Sequence, residues 1–544
     1  MRYLTVAVLS WVLLRPALAS AQHDEHGALS RDLIGSASVK FETSCAPAVK
    51  DDFNKGVALL HSFWFPEAIK AFEGVLARDP NCTMAHWGIA LSHWGNPFGG
   101  IKAARAIELT KASVDKAGAT GSPTPRERAY IAAVAQLVTA ADPGSHGARI
   151  GAYETAMENV SRDNPADTEA RIFYALAIAQ TAQPTDKTYE KNLKAAGILE
   201  PLFRQVPSHP GLAHYIIHAY DAPPLAEKAL VAARKYAALA PAIPHALHMP
   251  SHTFTRVGSW TESIETNRRS AEAARKSNGV GEELHALDYQ TYAYLQIGRD
   301  TSAKAVVDHA NDLANTSVGP GAGGGVNAFA IAAIPARYAL ERGAWAEAAA
   351  LTPRPAATPY TEAITFFARA VGAARSGNPA AASADIERLA ALRDKEKDIK
   401  DAYWTEQIDI QRRIALAWQT FAMGNKEEGL AQLSAAADAE DMTDKAATSP
   451  GPLAPARELF GYMLLDAGKA TEALVAFEAT MKKEPNRFRG IYGGARAAET
   501  LGDRAKATVY YTKLLEVAKD ADTERPELQH AKTYVGSRND APRR

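Results

Sequence analysis

Near the start of the chain, small, aromatic and proline residues recur at intervals that leave few folds open. In FNKGVALLHSFWFPEAIKAFEGVLARDPN, Gly56 is followed by Ala68, Phe72 and Pro80 at steps of 12, 4 and 8 residues. Small residues let two antiparallel helices approach closely, an aromatic ring fills the gap to the next pair, and proline ends the second helix. The stretch therefore predicts a helical hairpin that must stack on similar units to bury its apolar face.

The same pattern returns in the C-terminal part of the chain. There it is carried, in two successive units, by Gly461, Gly468, Ala473, Phe477 and Pro485, and by Gly502, Ala507 and Tyr511. Between the two ends, turn glycines each close one apolar helical run and open another, at Gly258, Gly298, Gly343, Gly377 and Gly424. Because Gly468 and Gly502 are 34 residues apart, the pattern has a fixed period.

This pattern resembles the tetratricopeptide repeat, a 34-residue helical hairpin with landmarks of these types in this order. The resemblance covers most of residues 53–518. It implies an all-α, superhelical solenoid of antiparallel helix hairpins, with roughly ten repeats in two sections. It also implies that a protein, peptide or small-molecule ligand binds in the concave groove.

Length and composition agree with a solenoid and suggest where it is divided. A chain of 544 residues is too long for one ordinary core, and its residues are 47% hydrophobic and 23% charged. Arg2, the apolar run from Leu4 to Leu14 and the small residues before Ala21 predict a signal peptide cleaved after Ala21. We therefore expect a periplasmic or secreted protein. The predicted divisions are a signal peptide (1–21), an N-terminal arm (22–52), an N-terminal array (53–316), a glycine-rich linker (317–328), a C-terminal array (329–535) and a tail (536–544).

The cysteines predict a disulfide bond, and the net charge and hydropathy pattern argue against nucleic-acid and membrane-spanning classes. Cys45 and Cys82 are the two cysteines, and in an exported protein a single pair most often forms a disulfide; two buried free thiols are the alternative. The formal net charge of −1 gives no attraction for nucleic acid. No stretch after the signal peptide is apolar for long enough to span a bilayer.

Six of the fifteen histidines fall between Ser208 and His252, and two pairs, His214/His218 and His248/His252, have the spacing i, i+4. On a helix this spacing places both rings on one face. Pro250 lies inside the second pair and can mark a helix start there. Numbered from Ala229, Gly258 and Gly298 as landmarks of three neighbouring units, the polar residues fall at repeat positions 2, 5, 9 and 12, which in the tetratricopeptide family line the groove. The resemblance thus implies a binding strip around residues 209–290 that comprises His214, His218, Asp221, His245, His248, His252, His285 and Asp288.

Three interpretations of this strip remain open. The main one is a non-catalytic scaffold whose groove binds a peptide or organic ligand. The alternative is a metal carrier or metal-dependent enzyme, in which His214, His218, His248 and His252 bind zinc, copper or nickel. In that case, Asp221 or Asp288 would ligate the metal or orient a ring. The third interpretation is that the rings only satisfy one another within the array. We find no nucleophile–base pair at a recognisable spacing, so catalysis would require the metal.

Overall fold

The computed structural model describes Ile34 and residues 38–122, 124–139, 146–316, 325–356 and 358–536. These residues form helices joined by turns and loops, without a strand. The helices of the first part are Lys50–His61, Phe65–Arg78, Thr83–Trp94, Ala104–Thr120, Pro125–Ala135, His146–Asp163, Thr168–Thr181, Glu190–Gln205, Pro210–Ala219, Leu230–Leu239, Pro244–His248, Pro250–Arg256, Trp260–Lys276, Val280–Gln296 and Asp300–Thr316. Those of the second part are Gly325–Glu341, Trp345–Ala349, Pro359–Arg375, Ala382–Asp398, Ala402–Ala422, Lys426–Asp441, Ala456–Asp466, Ala470–Lys483, Phe488–Thr500, Arg504–Val517 and Pro526–Gly536. The predicted signal peptide and residues 317–324 of the predicted linker lie outside the described residues, and a helix begins at Gly325 within that segment.

Aromatic rings pack between successive hairpins, as the repeat pattern predicts. The fully buried Phe72 ring lies between Gly56 and Gly88, where added Cβ atoms would stand 2.8 and 2.4 Å from it. Phe477 lies in the same way between Gly461 and Gly493, with corresponding distances of 2.8 and 2.2 Å. Only glycine leaves room for the ring at these four positions, so the prediction of stacked helical hairpins is confirmed.

The predicted turn glycines end helices in the left-handed conformation. Their φ angles are +70° at Gly258 and Gly298, and +65°, +91°, +101°, +75° and +74° at Gly343, Gly377, Gly424, Gly468 and Gly502. A side chain at such an angle clashes with the backbone, so glycine is favoured where the chain leaves one helix and enters the next.

The second part of the chain packs against the middle of the first. Trp260 Nε1 donates a hydrogen bond to the backbone oxygen of Asn486 at 2.8 Å. Arg525 Nε donates to Asp300 Oδ2 at 2.9 Å, and both side chains are buried. The loop between Asp441 and Ala456 also contacts a histidine-bearing helix, because Tyr289 OH donates a hydrogen bond to the Ser449 oxygen.

Two sequence predictions concern covalent and membrane topology. Cys45 and Cys82 form a disulfide bond, as predicted, and it ties the N-terminal arm to the turn between the first two hairpins. Within the described part of the chain, no helix combines the length and the apolar character needed to cross a bilayer.

Candidate metal centre

Neighbouring helices carry the histidines in a repeating arrangement. The helix Pro210–Ala219 starts with a proline that pre-sets its first turn and bears His214 and His218 on one face. The next first helix is Pro244–His248, which continues through the helical Met249 into Pro250–Arg256. The helix therefore starts before Pro250, so His248 and His252 share a face in spite of the proline. His285 follows on the helix Val280–Gln296.

The rings converge in two groups of three. In the first group, His214 Nε2 lies 3.1 Å from His218 Nε2 and 3.2 Å from His245 Nε2. In the second, His248 Nε2 lies 3.1 Å from His252 Nε2, and His285 completes the set. Within each group, the ligand nitrogens are all within 4.8 Å of one another. We call these groups the first triad (His214, His218, His245) and the second triad (His248, His252, His285).

The hydrogen bonds of the second triad fix where its protons sit. Asn267 donates its amide nitrogen to the Ser263 backbone oxygen at 2.7 Å, so its oxygen faces His248 Nδ1, also at 2.7 Å. His248 Nδ1 must therefore carry a hydrogen. His252 Nδ1 lies 2.9 Å from the Asp221 carboxylate, which only accepts.

In neutral His248 and His252, both Nε2 atoms consequently present lone pairs to each other at 3.1 Å. Facing lone pairs repel, so a positive charge between them stabilises the pair. Three nitrogens bound to one ion at 2.0–2.1 Å in tetrahedral directions stand about 3.3 Å apart. The 3.1 Å between His248 Nε2 and His252 Nε2 is close to that value, and a nitrogen of His285 lies within 4.8 Å of both. Hydrogen bonding of the outer ring nitrogen is typical of metal-binding histidines.

Burial keeps these rings in the neutral form that binds metal. It holds the pKa of His214, His218, His245 and His248 well below the ordinary value and lowers the pKa of His285 to about 3. Burial also lowers the pKa of His252, although its hydrogen bond to Asp221 opposes the shift. The six imidazoles are thus unprotonated at neutral pH and available as ligands.

The Asp221 carboxylate accepts hydrogen bonds from three side chains behind the second triad. Besides His252, it accepts hydrogen bonds from Arg256 Nε at 2.8 Å and Lys445 Nζ at 3.2 Å. Burial would raise the pKa of Asp221, but Lys445, Arg256 and His252 outweigh it and hold that pKa well below the ordinary value. Burial lowers the pKa of Lys445 to about 8.

A loop of the second half of the chain closes the groove over the histidines. In this segment, residues 442–455, Ser449 and Ala447 accept hydrogen bonds from Tyr289 OH at 3.1 and 3.3 Å, and Asp444 N donates to Pro184 O at 3.0 Å. We call it the covering loop. It explains why the predicted groove residues are largely buried rather than open to solvent, with His285 partly exposed.

Asp288 was predicted beside the histidines, and the structure places it elsewhere. Its Oδ1 accepts a hydrogen bond from Arg337 Nε at 2.8 Å, and both side chains are fully buried. Arg337 also donates to Ser449 Oγ and to the Gly451 oxygen, at 2.8 and 3.0 Å. Asp288 therefore anchors the covering loop through Arg337.

A third group, His61, Glu169 and His209, is joined by hydrogen bonds, although the buried His209 Nδ1 has no hydrogen-bond partner among the described residues. His61 Nε2 and His209 Nε2 bond opposite oxygens of Glu169 at 2.9 and 2.8 Å, and His61 Nδ1 bonds Tyr215 OH at 2.9 Å. Burial would raise the pKa of Glu169, but the two histidines outweigh it and hold it at about 2. The His61 backbone oxygen accepts from His214 Nδ1 at 2.7 Å, so this group orients the first triad.

Sequence reasoning missed three residues that support the triads. Asn267 fixes His248, Lys445 pairs with Asp221, and the His61 backbone fixes His214. Lys445 and His61 are separated from their partners by 224 and 153 residues, so no local pattern links them. Asn267 lies on the second helix of the same hairpin as His248, on a buried face that also carries Ser263, Thr266 and Ser270, so no pattern singled it out.

Comparison with known proteins gives distant similarities alone. A tetratricopeptide repeat protein from Parabacteroides merdae is 12% identical, over 54% of this chain and 98% of its own, with a TM-score of 0.29. The Cut9-Hcn1 hetero-tetramer of the APC/C is 12% identical, over 95% of this chain and 80% of its own, with a TM-score of 0.36. Yeast Tom70 is 11% identical, over 90% of this chain and 89% of its own, with a TM-score of 0.29. No protein-family model and no curated protein matches the chain. Such similarities carry no argument by themselves, and it is the packing around Phe72 and Phe477 that shows a solenoid of stacked helical hairpins.

Proposed function

We propose that this protein binds a divalent transition-metal ion through His248, His252 and His285. The observation that carries the proposal is the 3.1 Å approach of two Nε2 atoms whose rings both donate through Nδ1. A structural hydrogen bond between these rings would need one Nε2 to carry a hydrogen, and the bonds to Asn267 and Asp221 exclude that in the neutral rings.

The donor set favours particular metals. Three imidazole nitrogens, with no thiolate or carboxylate among them, suit zinc, copper and nickel better than calcium or magnesium. Three protein ligands leave a fourth position for water or another ligand. The covering loop packs over the groove, and its Lys445 pairs with Asp221 behind the second triad, which favours storage or transport of the ion over rapid turnover of a substrate.

Metal analysis of the full chain, expressed without a histidine tag, tests the proposal. We expect at least one zinc, copper or nickel ion per chain after equilibration and desalting, and loss of that ion in His248→Asn/His252→Asn. A matched control is His309→Gln, which changes a partly exposed histidine paired with Glu283 outside the centre. Sub-stoichiometric metal in the wild type, or equal metal in the double variant, would refute the proposal.

We also propose that the protein acts outside the cytoplasm, as the predicted signal peptide implies. The Cys45–Cys82 disulfide supports this location, because such bonds persist in oxidising compartments. Fractionation of the native host, with detection of the mature N-terminus after Ala21, tests it. Recovery of the uncleaved, reduced chain from the cytoplasm would contradict it.

A second role, as a protein-interaction scaffold, is favoured by the solenoid architecture. Repeat solenoids offer extended concave surfaces to peptides and proteins. Beside the covering loop, a cavity of about 350 Å³ is lined by residues that include Tyr189, Pro224, Pro452, Arg457 and Lys482. We propose that a peptide segment of a partner binds there. If so, a complex isolated with the wild type should survive His248→Asn/His252→Asn and be lost in Arg457→Ala/Lys482→Ala. The reverse pattern would exclude the cavity.

A further inference from the structure

The two triads are copies of one arrangement, displaced by one repeat. In the first, positions 5 and 9 of one unit, His214 and His218, meet position 2 of the following unit, His245. In the second, His248 and His252 occupy positions 5 and 9, and His285 occupies position 2 of the unit after. The recurrence follows from stacking equivalent hairpins, since each step along a solenoid repeats the same neighbours.

We propose that the chain binds two metal ions, one in each triad, in a pair whose spacing is set by the repeat. The inference rests on the proposed function of the second triad and adds the first triad as a distinct site. Equivalent rings of the two sites, His218 and His252, have centroids 6.0 Å apart. Because neighbouring helix axes lie about 8–10 Å apart, the two ions lie within roughly that distance of each other.

The first triad has the nitrogen geometry of a site but a different surrounding. His214 Nδ1 donates to the His61 backbone oxygen at 2.7 Å, so the Nε2 of neutral His214 is a lone pair. Two other Nε2 atoms approach it, at 3.1 and 3.2 Å, and a single lone pair accepts only one hydrogen well. An ion bound by all three nitrogens satisfies the group more completely than hydrogen bonds do.

The two sites are unequal because their rings are fixed to different degrees. Two rings of the second triad have their lone pair held toward the centre, by Asn267 and Asp221, whereas only His214 is held in this way in the first. Aromatic rings flank the remaining ligands of the first triad: Phe98 stacks on His218 at 4.0 Å, and Phe63 lies 5.2 Å from His245. The second triad is thus the better preorganised site and binds its ion more tightly.

Each triad also has a route for exchange. His285 of the second triad is partly exposed, and Glu282 Oε2 lies 3.9 Å from His245 Nδ1 at the edge of the first. The pair therefore has the layout of a tight site with a weaker neighbour one repeat away, which suits stepwise loading of two ions.

Titration of the untagged, metal-free full chain with Cu(II) tests the pair. We expect two ions per chain in two steps whose dissociation constants differ by at least tenfold. His285→Asn removes the tight step, and His218→Asn removes the weak one. His245→Gln is a second variant of the first triad, in case His218→Asn fails to fold as judged by its helical circular dichroism.

Electron paramagnetic resonance of the fully loaded protein tests the predicted distance between the two Cu(II) ions. Two Cu(II) ions within about 10 Å broaden each other's spectra, whereas the single-site variants give unbroadened spectra. One ion per chain, lost equally in both variants, would overturn the two-site inference and leave the proposed function intact. Two ions without mutual broadening would overturn the repeat spacing, and no bound ion would overturn the proposed function itself.

Discussion

The Nδ1 atom of His252 donates a hydrogen bond to Asp221 Oδ2 at 2.9 Å, and this contact decides which nitrogen of the ring faces the second triad. Asp221 also accepts from Lys445 and Arg256, so its position is held from two further sides. A carboxylate behind a ligating histidine orients the ring and increases its basicity. In the proposed metal site, Asp221 therefore orients a ligand without itself binding the ion.

Asp221→Asn is expected to weaken metal binding at the second triad by about 10–100-fold without reducing the number of ions bound at saturation. The amide oxygen still accepts from His252, but the negative charge is lost. Competition with a chelator of known affinity measures the change. The matched control is Glu262→Gln, whose side chain pairs with Arg234 at the surface. An unchanged dissociation constant in Asp221→Asn would contradict the orienting role.

The metal-free protein is expected to lose stability as pH falls below about 6.5. The buried triad histidines have lowered pKa values in the folded protein. At pH values between these lowered pKa values and 6.5, the histidines are protonated in the unfolded chain but neutral in the folded chain, so protons stabilise the unfolded chain. Each such residue removes up to about 1.4 kcal/mol per pH unit in that window.

Urea unfolding at pH 7.5, 6.5 and 5.5 measures this dependence. A His252→Asn/His285→Asn variant should show a shallower fall, because two fewer buried imidazoles are protonated on unfolding. Added metal should raise stability at all three pH values without changing the slope, since the folded rings are unprotonated in this window with or without the ion. Equal stability at all three pH values would show that the rings are not held neutral.

Arg337→Met is expected to destabilise the fold by about 3–5 kcal/mol, because it leaves the fully buried Asp288 carboxylate without its partner. It also removes the hydrogen bonds from Arg337 to Ser449 and Gly451 that anchor the covering loop. The double variant Asp288→Leu/Arg337→Met should recover part of the loss, since it removes the unpaired charge. Chemical unfolding measures both. A loss below about 1 kcal/mol in the single variant would contradict this account of the pair.

Gly493→Ala tests the contact between repeats. The added Cβ would stand 2.2 Å from the buried Phe477 ring, so the two hairpins must separate, and we expect a loss of about 1–3 kcal/mol. Gly197→Ala is the matched control on an exposed helix position with open space around its Cβ, and there alanine should stabilise by about 0.5–1 kcal/mol. Equal effects of the two substitutions on the unfolding midpoint would argue against ring-into-glycine packing.

The fold could be predicted to a large extent from the sequence because its determinants are local. Turn glycines such as Gly258 and Gly468 act within a few residues, and the Phe72 ring meets glycines 16 residues away on either side. Repeat register also predicted that histidines from three units share one surface. Register fixes where a residue sits on its helix, however, and not which partner it meets.

The partners that register does not fix are those that sequence reasoning missed. Asp288 shares a repeat position with His214 and His248 but pairs with Arg337, because the covering loop directs that arginine inward. The covering loop itself reaches Tyr289 from 160 residues away, at Ser449. Such contacts depend on how the superhelix closes on itself, which no local pattern encodes. They account for buried histidines where the sequence predicted an open groove.

X-ray absorption at the metal edge of the loaded protein tests the central claim most directly. Loaded with one equivalent of Zn(II) or Cu(II), the chain should show three imidazole nitrogens at about 2.0–2.1 Å, with the outer-ring scattering of histidine. That signal should be lost in a variant with both triads disrupted, His214→Asn/His218→Asn/His248→Asn/His252→Asn, loaded in the same way; His248→Asn/His252→Asn alone leaves the first triad to bind the ion. A first shell of oxygen with one imidazole or none in the wild type would contradict the proposed tri-histidine site.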